Sequence, residues 1–104
     1  YKKPIYITEN GCADAHDRQR PWLLVQTLAA VHRALSDGAD VRGYLHWSLL
    51  DNFEWDSGFW PRFGLIAVDR QTLARAPRHS AEIFRRIIQK NGIPPDLLEP
   101  GEGQ

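Results

Sequence analysis

An α/β fold built on parallel strands is what this chain predicts, and three stretches carry that expectation. Residues 5–8 (Ile-Tyr-Ile-Thr) and residues 41–48, with Val41, Tyr44, Leu45 and Trp47, have the β-branched and aromatic content of strands. Between them Leu24, Leu28, Val31 and Leu35 recur at i, i+4, i+7 and i+11, a single apolar stripe on a helix. Strand, loop, helix, strand at this spacing is a βαβ crossover, so the two strands run parallel in one sheet.

Each element brings its own punctuation. Pro4 heads the first strand, where a missing N–H does least harm, and the strand reads as buried. Gly11 supplies a turn after Glu9-Asn10, and residues 12–19 are small and polar enough to be a loop. Pro21 suits the first turn of the helix and Gly38 its C-terminal stop. In the second strand the odd positions share a face, which puts Val41, Gly43 and Leu45 beneath Trp47. Residues 56–62 form a Gly/Pro-punctuated loop, and residues 63–69 a short strand. A last helix spans residues 80–90 with Ile83, Phe84 and Ile87 inward, and Asn91-Gly92 ends it. Residues 93–104, with three prolines, two glycines and three acidic residues, read as a mobile tail beyond a folded portion of residues 1–92.

Composition narrows the partners. With 42% hydrophobic and 25% charged residues the chain has ordinary globular make-up. Thirteen basic residues balance thirteen acidic ones, which argues against nucleic acid as a ligand. No apolar run reaches the roughly 20 residues of a membrane span. The single cysteine, Cys12, cannot form an internal disulfide and points to a reducing, cytoplasmic setting. The opening residue is Tyr1 rather than methionine, as expected of a piece of something longer. The four histidines, His16, His32, His46 and His79, have no metal-ligand spacing, and neither metal nor cofactor is implied.

Chemistry concentrates in residues 47–55, Trp-Ser-Leu-Leu-Asp-Asn-Phe-Glu-Trp. Indole faces cover the C–H side of a sugar ring while carboxylates and amides meet its hydroxyls, so the stretch suits a carbohydrate pocket. An aromatic run after a strand is also ordinary core material. Asp51, Asn52 and Glu54 favour the pocket, because buried polar groups need partners. Glu9 follows the first strand, while Asp51 and Glu54 follow the second. Parallel neighbours lie about 5 Å apart, so these acids can converge at the C-terminal strand ends where barrel enzymes place their sites. On chemistry alone each could be a general acid, a nucleophile or a hydroxyl acceptor.

The motifs Ile7-Thr8-Glu9-Asn10-Gly11, Trp47 through Trp55, Arg62-Phe63-Gly64-Leu65 and Val68-Asp69, in this order, resemble the C-terminal end of family 1 glycoside hydrolases, the retaining β-glucosidases and β-glycosidases. The resemblance continues through Arg75, Pro77, Arg78, Ser80 and Ala81. It implies the last two βα units of a (β/α)8 TIM barrel, incomplete on its own since a closed barrel takes about 250 residues. It also implies Glu9 as catalytic nucleophile and Trp47, Glu54 and Trp55 as the glycone rim, with Phe63 at its edge. Glu54, a carboxylate where relatives acting on 6-phosphorylated sugars differ, implies unphosphorylated β-glycosides as substrates. Leu23 and Thr27 replace the family's Tyr and His, a departure touching helix packing. The family's acid/base glutamate and the arginine and tyrosine supporting the nucleophile belong to earlier strands. A complementary N-terminal chain of the same barrel is therefore the expected partner; the competing expectation is a barrel piece that only binds sugar or only scaffolds.

Overall fold

The computed structural model describes residues 2–98. Strand β1 (Ile5–Ile7) pairs in parallel with β2 (Val41–Tyr44), and helix α1 (Arg20–Ser36) makes the crossover between them. A second, antiparallel pair joins β3 (Ile66–Val68) to β4 (Arg75–Pro77), and helix α2 (His79–Lys90) follows. The parallel βαβ expectation holds. The strands are shorter, however, and one strand is additional.

The strand expected over residues 41–48 stops at Tyr44 because its partner leaves the sheet. Leu45 N still donates to Ile7 O at 2.8 Å, but β1 then turns through Glu9-Asn10-Gly11 and the next link is Trp47 N to Asn10 O at 2.9 Å. Likewise residues 63–65 are irregular backbone laced to the loop after β2. Ser48 N donates to Phe63 O, Leu65 N to Ser48 O, and Ile66 N to Leu49 O, at 3.1, 2.9 and 2.9 Å. Strand β4 carries a proline and no β-branched residue, so propensity gives no sign of it; an edge position tolerates both. Its hairpin turns on Asp69, whose carboxylate accepts from Gln71 N and Thr72 N at 2.8 and 3.1 Å.

Two acidic residues cap the helices from a distance. Asp14 accepts from Gln19 N and Arg20 N at 2.7 and 2.9 Å, occupying the orphan donors at the start of α1. Burial works to raise the Asp14 carboxyl, but these backbone N–H groups and the Arg20 charge outweigh it and hold it below the usual range. Asp17 accepts from Ser80 N and Ser80 Oγ at 2.8 and 2.7 Å, capping α2, and from Arg20 at 2.6 Å. Arg20, fully buried, donates on to Arg62 O at 2.6 Å.

The core lies between the helices, with Leu24 and Val25 of α1 against Ile83 and Ile87 of α2. Leu28, Tyr44, Phe84, Ile93 and Leu97 pack around them. Two expectations are corrected here. The buried stripe of α1 is Leu24, Val25 and Ala29 rather than the line ending at Leu35, which is 45% exposed. Strand β1 is not buried, with Ile5 and Tyr6 both exposed, because only one of its edges has a neighbour. Of the expected tail, Pro95–Leu97 forms a short 3-10 turn with Leu97 on the core and Arg86 donating to Asp96 at 2.8 Å. Its remainder, residues 99–104, lies outside the described residues.

Candidate active site

Glu9 sits on the turn that β1 makes at its C-terminal end, exposed and without a hydrogen bond among the described residues. That turn is pressed onto the loop after β2. A Cβ at Gly11 would lie 1.8 Å from Trp47 O, so no side chain fits there. Asn10 accepts from Trp47 N through its carbonyl and from Tyr44 Oη through Oδ1, at 2.9 and 3.0 Å. The two loops that carry the acids are thus bolted together at Asn10.

On the second loop Trp47 Nε1 donates to Glu54 Oε1 at 3.2 Å, which leaves Oε2 without an internal partner and free to accept. Trp47 and Glu54 are therefore one unit, an indole with a carboxylate held at its edge. Trp55 projects beyond them, 80% exposed, with φ +50°. A bulky residue in the left-handed region is strained, and such strain collects at ligand clamps. Phe63 is half-buried, its backbone carbonyl engaged by Ser48.

Asp51, which the sequence offered as a pocket acid, is instead the buried hub beneath this rim. Its side chain is buried and accepts from Gly64 N and Val68 N at 2.9 and 3.3 Å. Arg78, at the N-terminus of α2, grips both carboxylate oxygens at 2.9 and 3.0 Å, and Arg62 approaches at 3.4 Å. Burial alone would raise this carboxyl; the Arg78 hydrogen bonds and charge, with the two N–H groups, overcome it and hold it below the usual carboxylate range. Gly64 is required here, since a Cβ would meet Asp51 N at 2.4 Å. Asn52 donates to Leu50 O at 3.3 Å and serves the loop rather than the rim.

Arg70 was not singled out by sequence, yet it braces the outer loop. It hydrogen-bonds Asp51 O and lies 4.4 Å from the Phe59 ring centroid, and Phe59 in turn packs on Phe53 at 5.3 Å. Only the aromatic spacing of Phe53 and Phe59 could have suggested it. Cys12 stands apart from this chemistry. Burial pushes its thiol up against the opposing charge of Arg20, so it is a poor nucleophile. Among the described residues no three His, Cys, Asp or Glu side chains gather as a metal site would require, and no helix is long and apolar enough to cross a membrane.

The Trp47–Glu54 contact gives a prediction of its own. Trp47→Phe keeps an aromatic face but deletes the N–H that aims Glu54. If these residues form the glycone rim that the motif resemblance implies, about tenfold weaker binding of a monosaccharide inhibitor is expected, from the ~1.5 kcal/mol of a hydrogen bond to a charged group. An unchanged inhibition constant would mean that the contact does not organise the rim.

The parallel strand pair and its crossover helix make this an α/β piece, and the structural neighbours that it matches in part are TIM-barrel β-glycosidases. The family profile described as glycosyl hydrolase family 1 matches residues 1–93, and the chain belongs to that family. It is 56% identical over 97 residues to a β-galactosidase of Sulfolobus acidocaldarius, covering 93% of this chain and 20% of that protein. It is 45% identical over 97 residues to thermostable β-glucosidase B of Thermobispora bispora, covering 86% of this chain and 20% of that protein. The hyperthermophilic β-glucosidase of Pyrococcus furiosus superposes with TM-score 0.91 at 57% identity, over 93% of this chain and 21% of that one. The chain thus spans about one fifth of the length of the curated relatives it matches, and among the described residues no barrel closes.

Proposed function

We propose that this chain supplies the nucleophile and the glycone rim of a retaining β-glycosidase that hydrolyses unphosphorylated β-glycosides, as the last two βα units of its barrel. The observation that carries the reading is the clamp at Asn10, which joins the Glu9 turn to the loop bearing Trp47 and Glu54. Trp47 stacks on the sugar and Glu54 takes its outer hydroxyls, with Trp55 and Phe63 closing the rim. Glu9 attacks the anomeric carbon, and the bond to the leaving oxygen breaks as an acid about 5 Å away protonates that oxygen. Water, deprotonated by the same group, then releases the sugar from Glu9. A phosphate on the glycone would face the Glu54 carboxylate and be repelled.

The acid/base residue comes from a complementary N-terminal part of the same barrel. The surface supports such a partner. Leu49 and Ile88, each 62% exposed, flank a groove of about 390 Å³ lined by Leu65, Ile66, Ala81 and Phe84. An apolar groove beside free sheet edges is stable once another part of a core covers it.

The test is assembly. Residues 1–104 alone are expected to leave an aryl β-glucoside intact, and addition of the complementary barrel segments is expected to restore turnover. A 2-deoxy-2-fluoro β-glycoside with a good leaving group should then label Glu9, read by peptide mass. Turnover by the isolated chain, or a label on another residue of it, would refute the proposal.

A further inference from the structure

We infer that Tyr44 and His46 are positioning residues for the nucleophile, acting through Asn10, whose amide they fix in one orientation. The inference rests on the reading that Glu9 is the nucleophile. Tyr44, at the end of β2, packs edge-on against Phe84 with ring centroids 6.3 Å apart, and its hydroxyl lies 3.0 Å from Asn10 Oδ1 and 3.1 Å from His46 Nδ1. That hydroxyl has one proton to give.

Only one arrangement of protons suits the surroundings. Asn10 Oδ1 can only accept, so Tyr44 donates to it, and the Tyr44 oxygen accepts from His46 Nδ1–H. His46 Nε2, buried and without a partner, is then a bare acceptor. The reversed arrangement, with the Asn10 amide flipped and Tyr44 donating to Nδ1, would bury an orphan N–H at Nε2, the rarer and costlier outcome. Neither ring changes charge near neutrality. Burial drives the Tyr44 hydroxyl up to about 12, while burial and then the Arg20 charge pull His46 below its ordinary value.

The relay ends on the residue beside Glu9. Asn10 is held at its carbonyl by Trp47 N and at its side chain by Tyr44, and Gly11 allows the backbone contact behind it. Glu9 has no hydrogen bond of its own among the described residues, so what this chain contributes to its aim is the backbone that Asn10 fixes. A misplacement of about 1 Å in a reacting group can cost on the order of 10²-fold in rate. The glycone rim meets Asn10 only through the backbone carbonyl that accepts from Trp47 N, a contact that neither Tyr44→Phe nor Asn10→Ala removes.

The experiment uses the enzyme assembled with its complementary segments and compares wild type, Tyr44→Phe, Asn10→Ala and the double variant. The rate of covalent trapping by a 2-deoxy-2-fluoro β-glycoside reports on Glu9, and the inhibition constant of a monosaccharide reports on the rim. Tyr44→Phe is expected to slow trapping about tenfold with the inhibition constant unchanged, and the double variant to be no slower than Asn10→Ala alone. Trapping at the wild-type rate in Tyr44→Phe, even with a lowered melting temperature, would overturn the relay, as would effects that multiply in the double variant. An inert wild type with Glu9 unlabelled would overturn the nucleophile reading and the relay with it.

Discussion

Glu9→Gln in the assembled enzyme is expected to lower kcat on a β-glycoside by on the order of 10⁴-fold or more, because an amide neither attacks the anomeric carbon nor leaves from it. The substitution is nearly isosteric. Within this chain Glu9 makes no hydrogen bond among the described residues, so its own loop loses no contact and the fold of these residues should be unchanged. Monosaccharide binding should persist, because the indole of Trp47 and the carboxylate of Glu54 are untouched. Truncation to Glu9→Gly opens space where an added anion such as azide can attack in place of the carboxylate, so azide should recover part of the rate. Trp47→Ala has the opposite profile, with lost binding. A module that only holds sugar would show the second effect without the first, and normal rates in Glu9→Gln would remove the nucleophile role from this residue.

What could be read from the chain, and what could not, divides by distance along it. The βαβ crossover was legible because its signals are local: Pro4 and Pro21 where their missing N–H is harmless, Gly38 with φ +98° at the helix end, and β-branched residues between. The motif around Trp47 was legible for the same reason. The helix stripe was misjudged because Leu24 and Leu28 fit two overlapping faces, and only contact with Ile83 and Ile87 selects the one carrying Val25 and Ala29. Nothing local announces that Asp17 caps a helix beginning sixty-odd residues later, or that Asp51 is clamped by Arg78. In the sequence Tyr44 counted only as strand material and His46 only as a histidine without metal spacing, and both rings do pack on Phe84. Their polar atoms acquire a role only when β1 delivers Asn10 beside them.

The buried clamp at Asp51 should therefore be the most sensitive structural site. Deleting one partner of a buried ion pair leaves the other charged and unsolvated, which costs about 3–5 kcal/mol. Asp51→Ala should be the worse of the two truncations, because it strands Arg78 and also orphans the N–H groups of Gly64 and Val68, whereas Arg78→Ala leaves Asp51 those two donors and Arg62. Arg78→Lys keeps the charge but loses the two-pronged grip, and should fall between Arg78→Ala and wild type. Thermal inactivation of the assembled enzyme measures the order; variants within about 1 kcal/mol of wild type would show that the clamp carries no strain of the loop. The pH dependence has a definite sign. A carboxyl held below its ordinary value binds its proton less readily folded than unfolded, so its contribution is fully present above the unfolded value of about 3.9 and is lost as pH falls through the lower folded value. Wild type should accordingly lose stability on the acid side faster than Asp51→Asn, which has no proton to take up at that position. Parallel acid profiles for the two would place the acid sensitivity elsewhere in the fold.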